Sequence, residues 1–332
     1  MATCERRGLR RIFLSSLIGA SCVLWAPLLK AQAISPSGPV KLVVPFPAGG
    51  ATDAQFRALA QAAARELKQP IIVTNQPGAA GTLAPAAIAR TAAADGNTLV
   101  VIASSVYRVP HLQPVTYDVN KDFTYISSIS EFVFGMVVPA DSPLKSAQDF
   151  VAAAKASPGR MAVGSISNGS SGHMSLMRWA KMGGFEPNFI PYKGGADAMQ
   201  ALLGSHVNAL SESSWGPMVQ QGKVRALAIY SNERNKQFPN VPTLKELGWN
   251  VVTQSVVGIA GPKGMDPKLV QTLQQAFEQA TRDPAFLKTL EMSGQSVKFM
   301  DHDAYTRFIA EQFAAEKRAI DELKAAGVSL TQ

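Results

Sequence analysis

The sequence predicts an α/β protein of two lobes, and three observations carry that expectation. Short β-branched runs alternate with helix-period segments over most of the chain, the mark of βα units and largely parallel sheets. Roughly 300 residues follow an export-type head, more than one core usually serves. Strand runs repeatedly feed glycine- or serine-rich loops that lead straight into a helix.

Residues 1–33 read as a cleaved signal peptide. Arg6, Arg7, Arg10 and Arg11 form a basic head, Ile12 to Leu29 an apolar run, and Ala31-Gln32-Ala33 a small-x-small cleavage site. The run is also about as long as a short membrane span, so an uncleaved anchor is the alternative. The cleavage site, and dilution by Ser15, Ser16, Gly19 and Ser21, favour removal. Arg10-Arg11-Ile12-Phe13-Leu14 resembles a twin-arginine signal, although Sec leaders carry paired arginines too. Cys22 does not make a lipobox, because Gly19 stands where Leu is needed. Cleavage removes Cys4 and Cys22, leaving no thiol or disulfide chemistry. It also takes five of the 32 basic residues and one of the 24 acidic ones, leaving 27 against 23, a net +4 in place of +8. That is solubility charge, not a nucleic-acid footprint.

Val40 to Pro45 is the first expected strand. Asp53 to Leu67 follows as a helix, with Phe56, Leu59, Ala60, Ala63 and Leu67 on one face. Ile71 to Thr74 and Thr98 to Ala103 are strands around a helix over Thr82 to Arg90. Ile126 to Ser130 and Phe132 to Pro139 are two more. Ser146 with Asp149 forms a capping box for a helix ending near Ser157. Met161–Ser165, Asn188–Pro191, Val207–Leu210 and Val224–Tyr230 continue as strands with helices between them. Asp266-Pro267 starts a helix as cap and first-turn proline. Tyr305, Phe308, Ile309, Phe313, Ile320 and Leu323 stripe the last long helix.

Four strand-to-helix loops draw the eye to chemistry. Phe46-Pro47-Ala48-Gly49-Gly50-Ala51-Thr52-Asp53 offers close backbone approach at its glycines and a helix start with free N–H groups, the makings of an anion site. Gln76-Pro77-Gly78-Ala79-Ala80-Gly81-Thr82 repeats the arrangement, and two such loops at neighbouring strand ends face one crevice. Taken singly each is equally a plain turn, and Thr52 and Asp53 serve equally as helix caps. Ser165-Ile166-Ser167-Asn168-Gly169-Ser170-Ser171-Gly172-His173 lacks the glycine that a Gly-x-Ser-x-Gly nucleophile elbow needs. Tyr192-Lys193-Gly194-Gly195 is the fourth; Lys193 either attracts an anion or sits exposed on a turn.

No enzyme signature is legible. Phosphate-loop and His-x-x-x-His patterns are absent, and the mature chain has no cysteine for metal or thiolate work. Neither catalytic residue, metal site nor cofactor is called for. Of His111, His173, His206 and His302, only His173 lies beside a polar loop. Recognition of an anion by N–H groups and hydroxyls suits reversible binding.

These residues resemble the Bug receptors of tripartite tricarboxylate transporters. The likeness rests on Val44-Pro45-Phe46-Pro47-Ala48-Gly49-Gly50-Ala51-Thr52-Asp53, Gln76-Pro77-Gly78-Ala79-Ala80-Gly81 and Pro191-Tyr192-Lys193-Gly194-Gly195. It continues through Gly222-Lys223-Val224-Arg225-Ala226-Leu227-Ala228 and Val241-Pro242-Thr243-Leu244-Lys245-Glu246-Leu247-Gly248. The resemblance implies a type II periplasmic-binding fold, two α/β lobes joined by a two-strand hinge near residues 131–136 and 253–258. Residues 38–133 and 256–332 would form the first lobe and 134–255 the second. It implies a ligand carboxylate on Phe46, Ala48, Gly49, Gly50, Asp53, Gly78, Ala79, Ala80 and Gly81, partly through water. Ser167, Asn168, Gly169, Ser170 and Tyr192 would take the far end, and Ser104 and Ser105, ending the third strand, face the same crevice.

One departure from the family pattern is Val106-Tyr107-Arg108, where small or apolar residues are usual. Either Arg108 pairs with a second ligand carboxylate and Tyr107 stacks on a ring, or both are ordinary surface residues. The expectation is a periplasmic monomer that binds a small carboxylate, an aromatic or other dicarboxylate being one candidate. Its partners would be the membrane subunits of a tripartite carrier, with no nucleic acid. A sensor presenting the ligand to a membrane kinase is the alternative the fold also allows.

Overall fold

The computed structural model describes residues 34–213 and 215–330. The signal-peptide reading of residues 1–33 falls outside them. The chain runs β1 (Val40–Val44), α1 (Ala51–Leu67), β2 (Ile71–Asn75), α2 (Leu83–Thr91), β3 (Thr98–Ile102), α3 (Ser104–Arg108), β4 (Phe123–Glu131) and β5 (Gly135–Pro139). It continues α4 (Ala147–Ala156), β6 (Met161–Ile166), α5 (Ser171–Gly183), β7 (Pro187–Tyr192), α6 (Gly195–Leu203), β8 (Ala209–Glu212), α7 (Gly216–Gln220) and β9 (Val224–Ile229). Last come β10 (Val256–Pro262), α8 (Pro267–Ala280), α9 (Pro284–Met292), β11 (Ser296–Met300) and α10 (His302–Ala325).

The strands form two sheets, one ordered β11-β4-β10-β3-β1-β2 and the other β7-β6-β8-β5-β9. Each sheet with its helices is one lobe. The sheets are mixed, not largely parallel as the alternation predicted. Pairs β1–β2, β1–β3, β6–β7 and β6–β8 are parallel. β10 lies between β3 and β4 and runs against both, and β5 lies between β8 and β9 and runs against both. These two strands carry the chain across from the other sheet. Their direction follows from where the chain arrives, which hydrophobic periodicity does not encode.

The crossing segments lie side by side. Phe132 N–H donates to the Ser255 carbonyl at 2.9 Å, Tyr230 N–H to that of Phe134 at 2.8 Å and Thr253 N–H to that of Tyr230 at 2.8 Å.

The apolar face expected on α1 is buried, and the helix packs against α8 and α9. At about 1.5–3 kcal/mol for each large apolar side chain, that face alone commits the helix to the sheet. On α10, Tyr305, Ile309, Ile320 and Leu323 are buried and Phe308 and Phe313 lie against the core. In the second lobe Phe150, Trp179, Phe185 and Trp249 interlock with ring centroids 5.2–5.6 Å apart. The Ser146–Asp149 capping box and the Asp266 cap form as expected. Ser104 and Ser105 do not end a strand: β3 stops at Ile102 and they open α3. Among the described residues no helix is long and apolar enough to cross a membrane.

Candidate ligand-binding cleft

The first loop is held rigid from behind. Gly49 takes φ +79°, a left-handed position that favours glycine. Its N–H donates to Oδ2 of Asp53 at 2.9 Å. The same carboxylate accepts from Arg57 Nε at 2.9 Å and Asn75 Nδ2 at 2.8 Å, and Asn75 also donates to the Phe46 carbonyl at 3.1 Å. Burial alone would raise the Asp53 carboxyl, but the bonds from Arg57, Gly49 and Asn75 hold it below its ordinary value. Asp53 is therefore a brace for the loop, its two carboxylate oxygens engaged by Gly49, Arg57 and Asn75. Gly50, φ −78°, caps α1 with no side chain bonded to the helix start. The first N–H groups of α1 are left without intrahelical partners, at the positive end of the helix dipole.

The second loop is strained. Gly78, Ala79, Ala80 and Gly81 all have positive φ, at +145°, +47°, +56° and +86°. For the two alanines this costs roughly 1–2 kcal/mol each. Such strain collects where function requires a particular backbone path. The Gly81 N–H is already bonded to the Gly78 carbonyl at 2.8 Å. A Cβ on Gly81 would stand 2.9 Å from Phe46 Cζ and 3.4 Å from Ser105 Oγ, so the missing side chain lets both loops and α3 meet. Ser105 Oγ is buried and has no hydrogen-bond partner among the described residues.

The second lobe supplies the opposite wall. Ser170 caps α5, accepting from the His173 N–H at 3.2 Å. Gly172 comes so close to β8 that a Cβ there would lie 1.9 Å from the Ser211 carbonyl oxygen. Gly169 N–H donates to His173 Nδ1 at 3.1 Å. Burial, then the charge of Arg108, pushes His173 down to about 4, so the ring is neutral and acts as an acceptor. Glu212, ending β8 and fully buried, accepts from the N–H groups of Ser213 at 2.8 Å and Ile166 at 3.2 Å.

Three cavities lie between the loops. One, about 90 Å³, is lined by Phe46, Pro47, Ala48, Gly50, Ala51, Thr52, Phe132, Gly194 and Asp197. Another, about 60 Å³, is lined by Phe46, Ala80, Ser104, Ser105, Ser170, Ser171, Glu212, Ser213 and Ser255. The third is lined by Gly78 to Gly81, Ser167 and Lys193. A roomier groove of about 840 Å³ lies elsewhere, between the α5–β7 region and residues 326–330, and receives no such convergence of loops.

Several expected residues stand apart from these walls. Asn168 lines the separate groove with His173, and Tyr192 packs against Gly164 within its own lobe. Tyr107 is fully buried in the first lobe's core. Arg108 is no surface residue, being 2% exposed. Its NH2 donates to Glu316 Oε1 at 2.7 Å, and its NH1 to the Gly169 carbonyl and Ser171 Oγ, each at 3.2 Å. With both terminal nitrogens engaged, it braces one lobe against the other. Glu316 in turn accepts from Arg178 of α5 at 3.3 Å. Glu212, Ser213 and Ser255 were missed from the sequence, Ser171 was quoted only as part of its loop, and Thr52 was weighed as a cap or a contact. For Glu212 and Ser213 the signal was present: a polar stretch directly after the expected strand Val207–Leu210.

Fold and cleft together define a two-lobed solute-binding receptor of the type II periplasmic-binding class. The profile of the tripartite tricarboxylate transporter family receptor matches residues 55–325. The "UPF0065 protein in gbd 5'region" of Cupriavidus necator is 41% identical, covering 95% of this chain and 98% of its own. A TctC solute-binding protein from Polaromonas, solved without ligand, is 30% identical with a TM-score of 0.67, covering 86% of this chain and 99% of its own. MatC from Rhodopseudomonas palustris, solved with bound malate, is 26% identical with a TM-score of 0.80, covering 86% and 99%. The chain belongs to the tripartite tricarboxylate transporter receptor family.

Proposed function

We propose that this receptor works in the periplasm, released by cleavage after Ala33, and captures a small carboxylate between its lobes for the membrane subunits of a tripartite carrier. The observation that carries the reading is the uncapped start of α1 beside the strained Gly78–Gly81 loop, both facing one crevice. N–H groups so placed hold an anion without a basic side chain, and a helix start adds a field of roughly half an elementary charge. Phe46, Ala48, Gly50, Ala79 and Ala80 are the first-lobe contacts, and Ser104, Ser105, Ser167 and Ser170 complete the pocket. Gly78 and Gly81 line it beside them, and Gly49, Asp53 and Gly169 shape it from behind.

The malate bound by MatC supports a ligand of that size. The lobes divide at residues 38–133 with 256–332 and at 134–255, and a ligand touching both favours closure about the crossing segments.

A thermal-shift screen of the mature chain against mono- and dicarboxylates tests the reading, because a ligand of the folded state raises its melting temperature. A shift with at least one carboxylate, and compaction in small-angle scattering with it, is expected. No shift with any carboxylate would overturn the proposal.

A further inference from the structure

Two loops of opposite lobes touch at a glycine. Gly194, between β7 and α6 of the second lobe, lies against Pro47, between β1 and α1 of the first. A Cβ built on Gly194 would have atoms of Pro47 as its three nearest neighbours, Cγ at 3.3 Å, Cδ at 3.5 Å and Cβ at 4.0 Å. Both residues line the cavity of about 90 Å³. Pro47 also lines the cavity that holds Lys193, so the contact stands where two of the three cavities adjoin.

Nothing local requires glycine at position 194. Its φ of −163° and ψ of 164° are extended backbone that any residue adopts. It caps α6, its carbonyl accepting from the Ala198 N–H at 3.1 Å, and serine or asparagine serves that position at least as well. Other glycines around the cleft have reasons within their own lobe: Gly49 and Gly169 have positive φ, and Gly172 lies against the Ser211 carbonyl. At Gly194 the missing side chain makes room for the other lobe. Pro47 has little freedom to give way. Its ring fixes its own φ, and its loop is pinned by the bonds from Asn75 to the Phe46 carbonyl and from the Gly49 N–H to Asp53. Among the described residues no hydrogen bond links the Phe46–Asp53 loop to the Tyr192–Asp197 loop. Elsewhere the lobes are hydrogen-bonded, Ser104 Oγ to Ser171 Oγ at 2.8 Å and Arg108 to the Gly169 carbonyl at 3.2 Å. Between these two loops the lobes meet by shape alone, a contact of a few weak dispersion terms that parts at little cost.

Resting on the capture of a carboxylate between the lobes, we infer that Gly194 is the closing seat of the receptor. Pro47 lodges on it when the lobes shut, and the absent side chain sets how far they close over the ligand. Gly194 is a positioning residue: it acts through the approach of the lobes and not through the ligand's own groups.

A cross-link tests the seat without any ligand. Residues 34–332 contain no cysteine. A Cβ at position 194 stands 4.0 Å from that of Pro47, within the roughly 3.5–4.5 Å that disulfides span. Pro47→Cys combined with Gly194→Cys in the mature chain should therefore form an intramolecular disulfide on mild oxidation, read by intact mass before and after reduction. A folded double variant that forms none would overturn the inference. Binding supplies the second arm. Threonine caps a helix about as well as glycine, so Gly194→Thr should keep the melting temperature of the unliganded chain. Its branched side chain should hold Pro47 off and weaken the tightest of succinate, L-malate and adipate on the order of tenfold in calorimetry, mostly through faster release. Adding Pro47→Ala removes Cγ and Cδ, leaves the nearest atom at 4.0 Å and should recover most of that loss. Unchanged affinity in Gly194→Thr, or a loss that Pro47→Ala leaves untouched, would also count against the seat. If none of the three acids binds the wild-type chain, the carboxylate reading loses its support, while the disulfide still upholds the seat or, by its absence, overturns it.

Discussion

Removal of Glu316 is the sharpest perturbation of this architecture. The residue sits on α10 at 7% exposure, with Oε1 on Arg108 at 2.7 Å and Oε2 on Arg178 at 3.3 Å. Arg108 is buried in the first lobe, and Arg178 belongs to α5 of the second. Glu316→Ala would leave a buried guanidinium without its counter-charge, a change that costs about 3–5 kcal/mol. The Arg178 half contributes less, because its side chain is 26% exposed and solvent screens it. Urea denaturation of the mature chain at pH 7 measures the loss. A cost below about 1 kcal/mol, the range of an exposed pair, would refute the claim that the pair is buried and coupled. The double variant Arg108→Met with Glu316→Met should recover most of the loss, since a well-packed apolar pair replaces a buried ion pair at little cost. The pH dependence has a definite sign. Burial would raise the Glu316 carboxyl, but the charge and hydrogen bond of Arg108, with Arg178 behind them, hold it below 4.5. A carboxyl lowered on folding adds stability that is complete above its unfolded value and is lost as pH falls through the folded one. Because Arg178 ties Glu316 to the second lobe, ligand affinity should fall together with stability.

Three further outcomes are expected. His173, lowered from 6.5 to about 4, makes the fold lose on the order of 3 kcal/mol as pH drops through that window, since the unfolded chain takes the proton first. His173→Gln should flatten that slope in pH-dependent denaturation, and an unchanged slope would count against the buried neutral ring. Gly172→Ala should cost several kcal/mol or prevent folding, because a Cβ 1.9 Å from the Ser211 carbonyl oxygen forces α5 off β8; a near-native melting temperature would disprove that packing. Gly49 and Gly50 should separate stability from binding. Gly49→Ala places a side chain at φ +79° and costs roughly 1–2 kcal/mol of stability, whereas Gly50→Ala, at φ −78° with a nearest contact of 3.6 Å, folds normally but narrows the cavity and weakens the ligand. Identical effects of the two changes in calorimetry and denaturation would contradict this division.

Much of the molecule was legible in the residues alone. Strand and helix identity for β1, α1, α4, α8 and α10 followed from periodicity and caps, which act over a few residues and therefore survive in a local reading. The glycine loops were legible too, because positive φ and close approach restrict which residues serve. Four elements were not. Of these, α3 is five residues long and opens on two serines, β11 is an exposed edge strand, and α9 offers two buried apolar residues. The fourth, β10, is buried along its whole length, so it shows no alternation.

What the sequence determined by itself was the class of the fold, the family and the loops on which an anion would rest, because each depends on short-range patterns of glycine, proline and apolar spacing. Which groups turn toward the crevice was decided only by the tertiary structure. Asp53 turns back to hold its own loop, Arg108 is consumed by Glu316 more than two hundred residues away in sequence, and Glu212 arrives at the cavity wall without a cation. The reason is physical: a side chain's charge is known from its type, but whether that charge is matched depends on partners that only tertiary packing brings within hydrogen-bond distance.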